Sequence, residues 1–199
     1  ERKYTQVVGV YDGAAVVCSE RGFGTLPCVV ANGGANAHKG DKVVAKLVDT
    51  RYGLKCLITE VLGKAGETGA DVMGVIRMYG IPETFPEEVM RAADALPDNP
   101  TAEQIKDRRD FRGDTIITID GAHSKDFDDA VSLERLEGGQ VRLGVHIADV
   151  CAYVRPGSAI DREARLRGTS VYFADRVIPM LPEELSNGIC SLNEGEDRL

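Results

Sequence analysis

Between Tyr4 and Gly63 the apolar residues fall in short runs, YTQVVGVY, AAVVCS, GTLPCVV, DKVVAKLV and LKCLITEVLG, separated by glycine and polar turns. Valine-rich runs of this length, with Asp12-Gly13 between the first two, predict five strands at the spacing of a small barrel. The next stretch, GKAGETGADVMGVIRMYGIP, is interrupted by glycines and charges and reads as a connector with a short amphipathic piece. Thr84-Phe85-Pro86-Glu87 has the form of a capping box. Val89, Ala92, Ala93 and Leu96 then recur at i, i+3, i+4 and i+7, which predicts a helix stopped by Pro97. Thr101-Ala102-Glu103-Gln104 repeats the capping pattern and starts a second helix ending near Arg109. Beyond Phe111 an apolar run ends at Ile119, and AVSLERL and QVRLGVHIADVCAYV stand at hairpin spacing across Gly138-Gly139. AIDREARLRG predicts a helix ending at Gly168, followed by a mixed strand, loop and short helix. The fold class expected is α+β: an oligonucleotide-binding or cold-shock-like five-stranded barrel over 1–63, a connector and helical linker over 64–110, and part of an α+β domain over 111–199.

Composition changes this picture in one respect. The 199 residues are 43% hydrophobic and 28% charged with a net charge of −8, which argues against nonspecific wrapping of nucleic acid. That average hides a division: residues 1–63 carry eight basic and six acidic groups, whereas 111–199 carry ten and sixteen. The slight basic excess suits the barrel to nucleic acid, with Tyr11, Phe23 and Tyr52 as candidate stacking surfaces and Arg21, Lys39, Lys42, Arg51 and Lys55 as candidate phosphate contacts. The competing reading is core aromatics and a solvated rim. Five cysteines with no C-x-x-C pair indicate neither a disulfide framework nor a zinc site. No apolar run is long enough to cross a bilayer and the N-terminus is not built like a signal peptide, so a cytoplasmic protein without membrane contact is expected.

The acid is concentrated in IDGAHSKDFDDA, where Asp120, Asp126, Asp128 and Asp129 occupy ten positions. Crowded carboxylates repel one another unless a cation compensates them. Oxygen-only ligands of this hardness suit Mg2+, with Mn2+ as a substitute, and a turn through GAHSK folds the second group back toward Asp120 at the end of its strand. Such a site fits phosphoryl transfer, with phosphodiester hydrolysis the natural candidate. A calcium loop starting at Asp126 fails because Val131 stands where glycine is needed. A solvated acidic turn with no metal remains the rival reading. His123 is expected on a surface turn and His146, in the apolar GVHIA run, as a hydrogen-bonded core residue.

These residues carry a resemblance. TIDGAHSKDFDDAV, followed by HIADV, YVRPGS, DREA, RGTSVYF and VIPMLPEELSNGICSLN, resembles the catalytic domain of the ribonuclease II and ribonuclease R family of processive 3′-to-5′ exoribonucleases. ITEVLG and GVIRMYGIPETFPEEV resemble the cold-shock-like barrel and linker that precede it. The resemblance implies that Asp120, Asp126 and Asp129 organise magnesium and water, that Asp128 is the most critical catalytic carboxylate, and that Tyr172 stacks on the 3′-terminal base. It also implies a catalytic domain that continues past Leu199, with further phosphate-contacting residues and another barrel. The expected function is therefore part of a magnesium-dependent exoribonuclease acting on RNA. The alternative is an RNA-binding or regulatory fragment without turnover.

Overall fold

The computed structural model describes residues 5–18 and 27–199, which form two compact units, Glu1–Pro82 and Glu83–Leu199. In the first, strands β1 (Gln6–Tyr11), β2 (Ala15–Cys18), β3 (Pro27–Val29), β4 (Asp41–Thr50) and β5 (Gly53–Lys64) make one antiparallel sheet in the order β3-β2-β1-β4-β5. A bridge from Val30 to Cys56 brings the β3 end back to β5, as barrel closure requires. Period-two patterning chooses the inside: Val7 and Tyr11 from β1, Val43, Ala45 and Leu47 from β4, and Cys56 and Ile58 from β5 share one core. Gly9 lies between those β1 residues, where a methyl group would overlap the carbonyl of Val17 on β2.

Helix α1 (Thr68–Tyr79) packs on β1, β4 and β5. Val8 and Val44, which alternate out of the barrel interior, are buried, as are Ala70 and Ile76 of the helix. The sequence pattern treats this stretch as connector, but its buried residues make it part of the first unit. Lys42 to Asp71 (2.7 Å) and Arg77 to Glu60 (2.8 Å) tie the helix to the sheet, and Gly80 ends it in the left-handed conformation.

The second unit contains helices α2 (Glu87–Asp94), α3 (Ala102–Ile105) and α4 (Ala159–Arg167). It also holds a three-stranded antiparallel sheet of β6 (Ile116–Ile117), β7 (Asp129–Arg135) and β8 (Val141–Ile147), and a ribbon of β9 (Val171–Tyr172) and β10 (Val177–Ile178). Val89 and Ala93 of α2 are buried with Tyr153, Ile160, Leu181, Leu185, Ile189 and Cys190 in a second core, the face that the helical period predicts. The capping box at Thr101 forms, with the Gln104 backbone N–H donating to Thr101 Oγ1 (3.3 Å) and the Thr101 backbone N–H donating to Gln104 Oε1 (2.8 Å). The box expected at Thr84 does not form, and α2 begins after Pro86 with no side-chain cap. A cap at Thr84 would need Phe85 in the helical region, which the following proline disfavours. The α3 helix ends at Ile105, short of Arg109.

Arg167 anchors this unit. It ion-pairs with Glu163 (2.9 Å), donates to the carbonyls of Thr84 (2.6 Å) and Pro179 (3.2 Å), and lies 3.7 Å over the Phe85 ring. Its side chain is only 3% exposed, so these partners replace the water it has lost.

Candidate active site

The loop from Thr118 to Asp128 joins β6 to β7 and carries the aspartates to one end of the sheet. Asp120 follows the short β6 strand, and the backbone turns where Ser124 N–H donates to the Gly121 carbonyl (2.9 Å). Asp129 opens β7 opposite Ile147 on β8, and the Asp128 carbonyl accepts from Ala148 N–H (3.0 Å). The remainder of the loop is held by Ser191. Its buried hydroxyl accepts from Phe127 N–H (3.0 Å) and donates to the Lys125 carbonyl (2.9 Å), and the Leu192 N–H donates to the Phe127 carbonyl (2.9 Å). Ser191 thus fixes the peptides on both sides of Asp126.

The four carboxylates converge electrostatically at Asp128. Its pKa is raised first by partial desolvation and then by repulsion from Asp126, Asp129 and Asp120. Tyr172 reaches the same place from β9: its hydroxyl donates to Asp126 Oδ2 (3.1 Å), and the ring is 65% exposed. Desolvation, that hydrogen bond and the nearby charges of Asp126 and Asp128 raise the phenol pKa. The strand ribbon therefore brings the Tyr172 hydroxyl to Asp126 and leaves the residue open to solvent.

The donor chemistry fits a hard divalent cation. Every group is a carboxylate or phenol oxygen, and a positive charge at this point would relieve the repulsion on Asp128. Among the described residues, no three His, Cys, Asp or Glu side chains are gathered as a preformed metal cage. Mg2+ does not require one, since it binds through one or two carboxylates and retains several waters.

Other sequence candidates are placed differently. Tyr11 is a core side chain, 7% exposed, whose hydroxyl donates to the Gly13 carbonyl (2.8 Å). The ring has no free face for a base, which corrects its expected stacking role. Lys42 is engaged by Asp71. Phe23 and Arg21 lie outside the described residues. His123 is exposed on the turn, and His146 meets Ser132 Oγ through Nε2 (2.9 Å) and Phe111 edge-on. A groove of about 1030 Å³ lined by Phe111, His146, Arg112 and Leu199 includes none of the four aspartates. The residue that sequence reasoning missed is Ser191, because its partners are 64 and 66 positions away.

An antiparallel barrel in one unit and, in the other, an α+β arrangement whose aspartate-rich loop meets the Tyr172 hydroxyl define the class by fold and side chains alone. The comparisons sharpen that class. The RNB domain model matches residues 108–199 and the cold shock domain model residues 16–86. Ribonuclease R of Thermotoga maritima is 44% identical over 208 residues, covering 100% of this chain and 29% of the relative. Ribonuclease R of Escherichia coli (strain K12) is 51% identical over 142 residues, covering 71% of this chain and 18% of the relative. The structure of Mycoplasma genitalium RNase R in complex with double-stranded RNA superposes with a TM-score of 0.85 at 28% identity, covering 100% of this chain and 36% of that one. The chain belongs to the ribonuclease II and ribonuclease R family. It spans less than a third of the length of the Thermotoga maritima and Escherichia coli relatives.

Proposed function

We propose that this chain is part of a magnesium-dependent 3′-to-5′ exoribonuclease that hydrolyses RNA to nucleoside 5′-monophosphates. The observation that carries the reading is the Tyr172 hydroxyl donating to Asp126 Oδ2 within a loop where desolvation and the charges of Asp126, Asp129 and Asp120 raise the pKa of Asp128. Asp120, Asp126 and Asp129 would organise the ion and its waters, one or two of them meeting it directly, with Mn2+ as a substitute. Bound Mg2+ supplies Lewis acidity and neutralises charge on the phosphate. Asp128, the most critical catalytic carboxylate by the family resemblance, would accept the proton of the attacking water. In the hydrolysis, water oxygen bonds to the terminal phosphorus, the bond from phosphorus to the upstream 3′ oxygen breaks, and that oxygen leaves with a proton. The exposed Tyr172 ring stacks on the 3′-terminal base, and its hydroxyl holds Asp126 in orientation. Contacts made to stacking faces, sugar and phosphate read no base edge, so degradation is blind to sequence. The cytoplasm is the compartment this reading implies.

The test uses RNA labelled at its 5′ end, with Mg2+ and then with chelator. A ladder shortening from the 3′ end that stops on chelation supports the reading. Products of random internal sizes, or turnover indifferent to chelator, overturn it. A second reading, RNA binding without turnover, is favoured by the barrel unit, where the exposed Tyr52 ring stands beside Arg51 and Lys55. Retained RNA binding by Asp128→Asn, with no degradation by the unsubstituted chain even in Mn2+, selects it.

A further inference from the structure

The β4–β5 turn carries an aromatic side chain that the fold does not use. Thr50 pairs with Gly53, leaving Arg51 and Tyr52 as the two central residues of the hairpin turn. Thr50 Oγ1 fixes the turn by donating to the Gly53 carbonyl (2.8 Å) and accepting from Tyr52 N–H (3.2 Å). The Tyr52 ring is 74% exposed, so it contributes little to the barrel core. Two cations accompany it: the Arg51 guanidinium carbon is 4.7 Å from the ring centroid and Lys55 Nζ is 5.8 Å away. Lys55 pairs across the ladder with Val48, and Lys46 pairs with Leu57 two positions further along, so both lysines lie on the outer face of the hairpin. Leu47 and Cys56, on the alternate positions, point into the core.

We propose that the Arg51-Tyr52 tip is a stacking subsite for one unpaired RNA base, with Lys55 and Lys46 receiving the phosphates that flank it. The ring supplies a surface indifferent to base identity, the guanidinium plane extends it, and the lysines continue the path down the hairpin. The inference rests on the RNA reading above but concerns the barrel rather than the aspartates. It replaces Tyr11 and Lys42, which are occupied within the fold, by residues that are open to a ligand.

The test uses a 5′-fluorescein-labelled 12-mer of uridylate in EDTA, read by anisotropy. Tyr52→Ala is expected to weaken binding by about tenfold, the effect of one lost stacked base. Tyr79→Ala, which removes an equally exposed tyrosine from the end of α1, is expected to leave affinity unchanged. The chain has no tryptophan, so Tyr52→Trp places a single reporter at the tip, and its emission is expected to be quenched in step with the anisotropy change. Binding by the unsubstituted chain that is unaltered in Tyr52→Ala, with unquenched Tyr52→Trp emission, overturns the subsite and leaves the RNA reading intact. Failure of the unsubstituted chain to bind the oligonucleotide overturns both.

Discussion

Tyr172 donates its hydroxyl to Asp126 from a strand 46 residues away, while the residue stays largely open to solvent. Ring and hydroxyl therefore have separable roles. Tyr172→Ala removes a stacking face worth about 1–3 kcal/mol and is expected to weaken binding of short RNA by about ten- to a hundredfold. Tyr172→Phe keeps the face and is expected to bind within about threefold of the unsubstituted chain, the loss being one hydrogen bond to an exposed charge. Anisotropy titrations of the two variants distinguish these effects. Equal losses would show that the ring does not carry binding.

Ser191 is expected to act as a positioning residue for the aspartate loop. Ser191→Ala leaves the Phe127 N–H and the Lys125 carbonyl without their partner. An unsatisfied buried group costs about 1–3 kcal/mol, so thermal unfolding should occur several degrees lower. Hydrogen exchange at Phe127 should accelerate more than exchange at Val43 in the barrel core. A uniform acceleration would indicate a general loss of stability instead of local release of the loop.

In the second unit, Arg167→Met leaves Glu163 in a site where its side chain is 12% exposed and its cation is gone. Breaking a buried pair on one side typically costs about 3–5 kcal/mol. The double change Glu163→Gln with Arg167→Met is expected to recover part of that loss, because an unpaired charge no longer remains. Denaturant unfolding of the single and double variants measures the difference. A double variant no more stable than the single would place the energy in the Phe85 stack and the carbonyl contacts, which both variants lack.

The barrel has its own acid-sensitive contact. Asp41 is held below its usual carboxylate range, near 3.8, chiefly by the hydrogen bond from Lys64 (2.5 Å), then by the His38 backbone N–H (2.7 Å). A depressed folded-state pKa means that the stabilisation is fully present above the unfolded value and is lost as pH falls through the folded one. Asp41→Asn should therefore flatten the stability of the first unit below about pH 4 and lower it at neutral pH. Urea unfolding followed at pH 3, 4 and 7 tests this. Parallel pH curves for variant and unsubstituted chain would remove Asp41 from the account.

The parts of the structure legible in sequence were those set by local period and turn chemistry. The five barrel strands and the hairpin from Asp129 to Ile147 follow from alternation and glycine turns, and the Thr101 box from a four-residue pattern. Tyr11 was readable too, since it lies four positions from Val7 on the inward face of one strand, a parity that outweighs its aromatic character. Thr84 failed for a local reason, the proline two residues later. The aspartates were visible as a charge cluster, but Ser191 and the Tyr172 hydroxyl act on them across distances in sequence that no short pattern encodes.

The carboxylate cluster makes a final prediction that does not depend on turnover. Repulsion from Asp120, Asp126 and Asp129 contributes to the raised pKa of Asp128, and a bound divalent cation relieves it only in the folded chain. Mg2+ should therefore stabilise by mass action, about 2.7 kcal/mol at one hundred times its dissociation constant, and raise the unfolding temperature in proportion to the logarithm of its concentration. Asp126→Asn should weaken this response by removing a proposed ligand charge, whereas Asp114→Asn, outside the cluster, should preserve it. Calorimetric scans across a Mg2+ series, with Na+ at matched ionic strength, separate binding from screening. If Na+ reproduced the shift, or if Asp126→Asn retained it in full, the aspartates would be a solvated acidic turn and not a cation site.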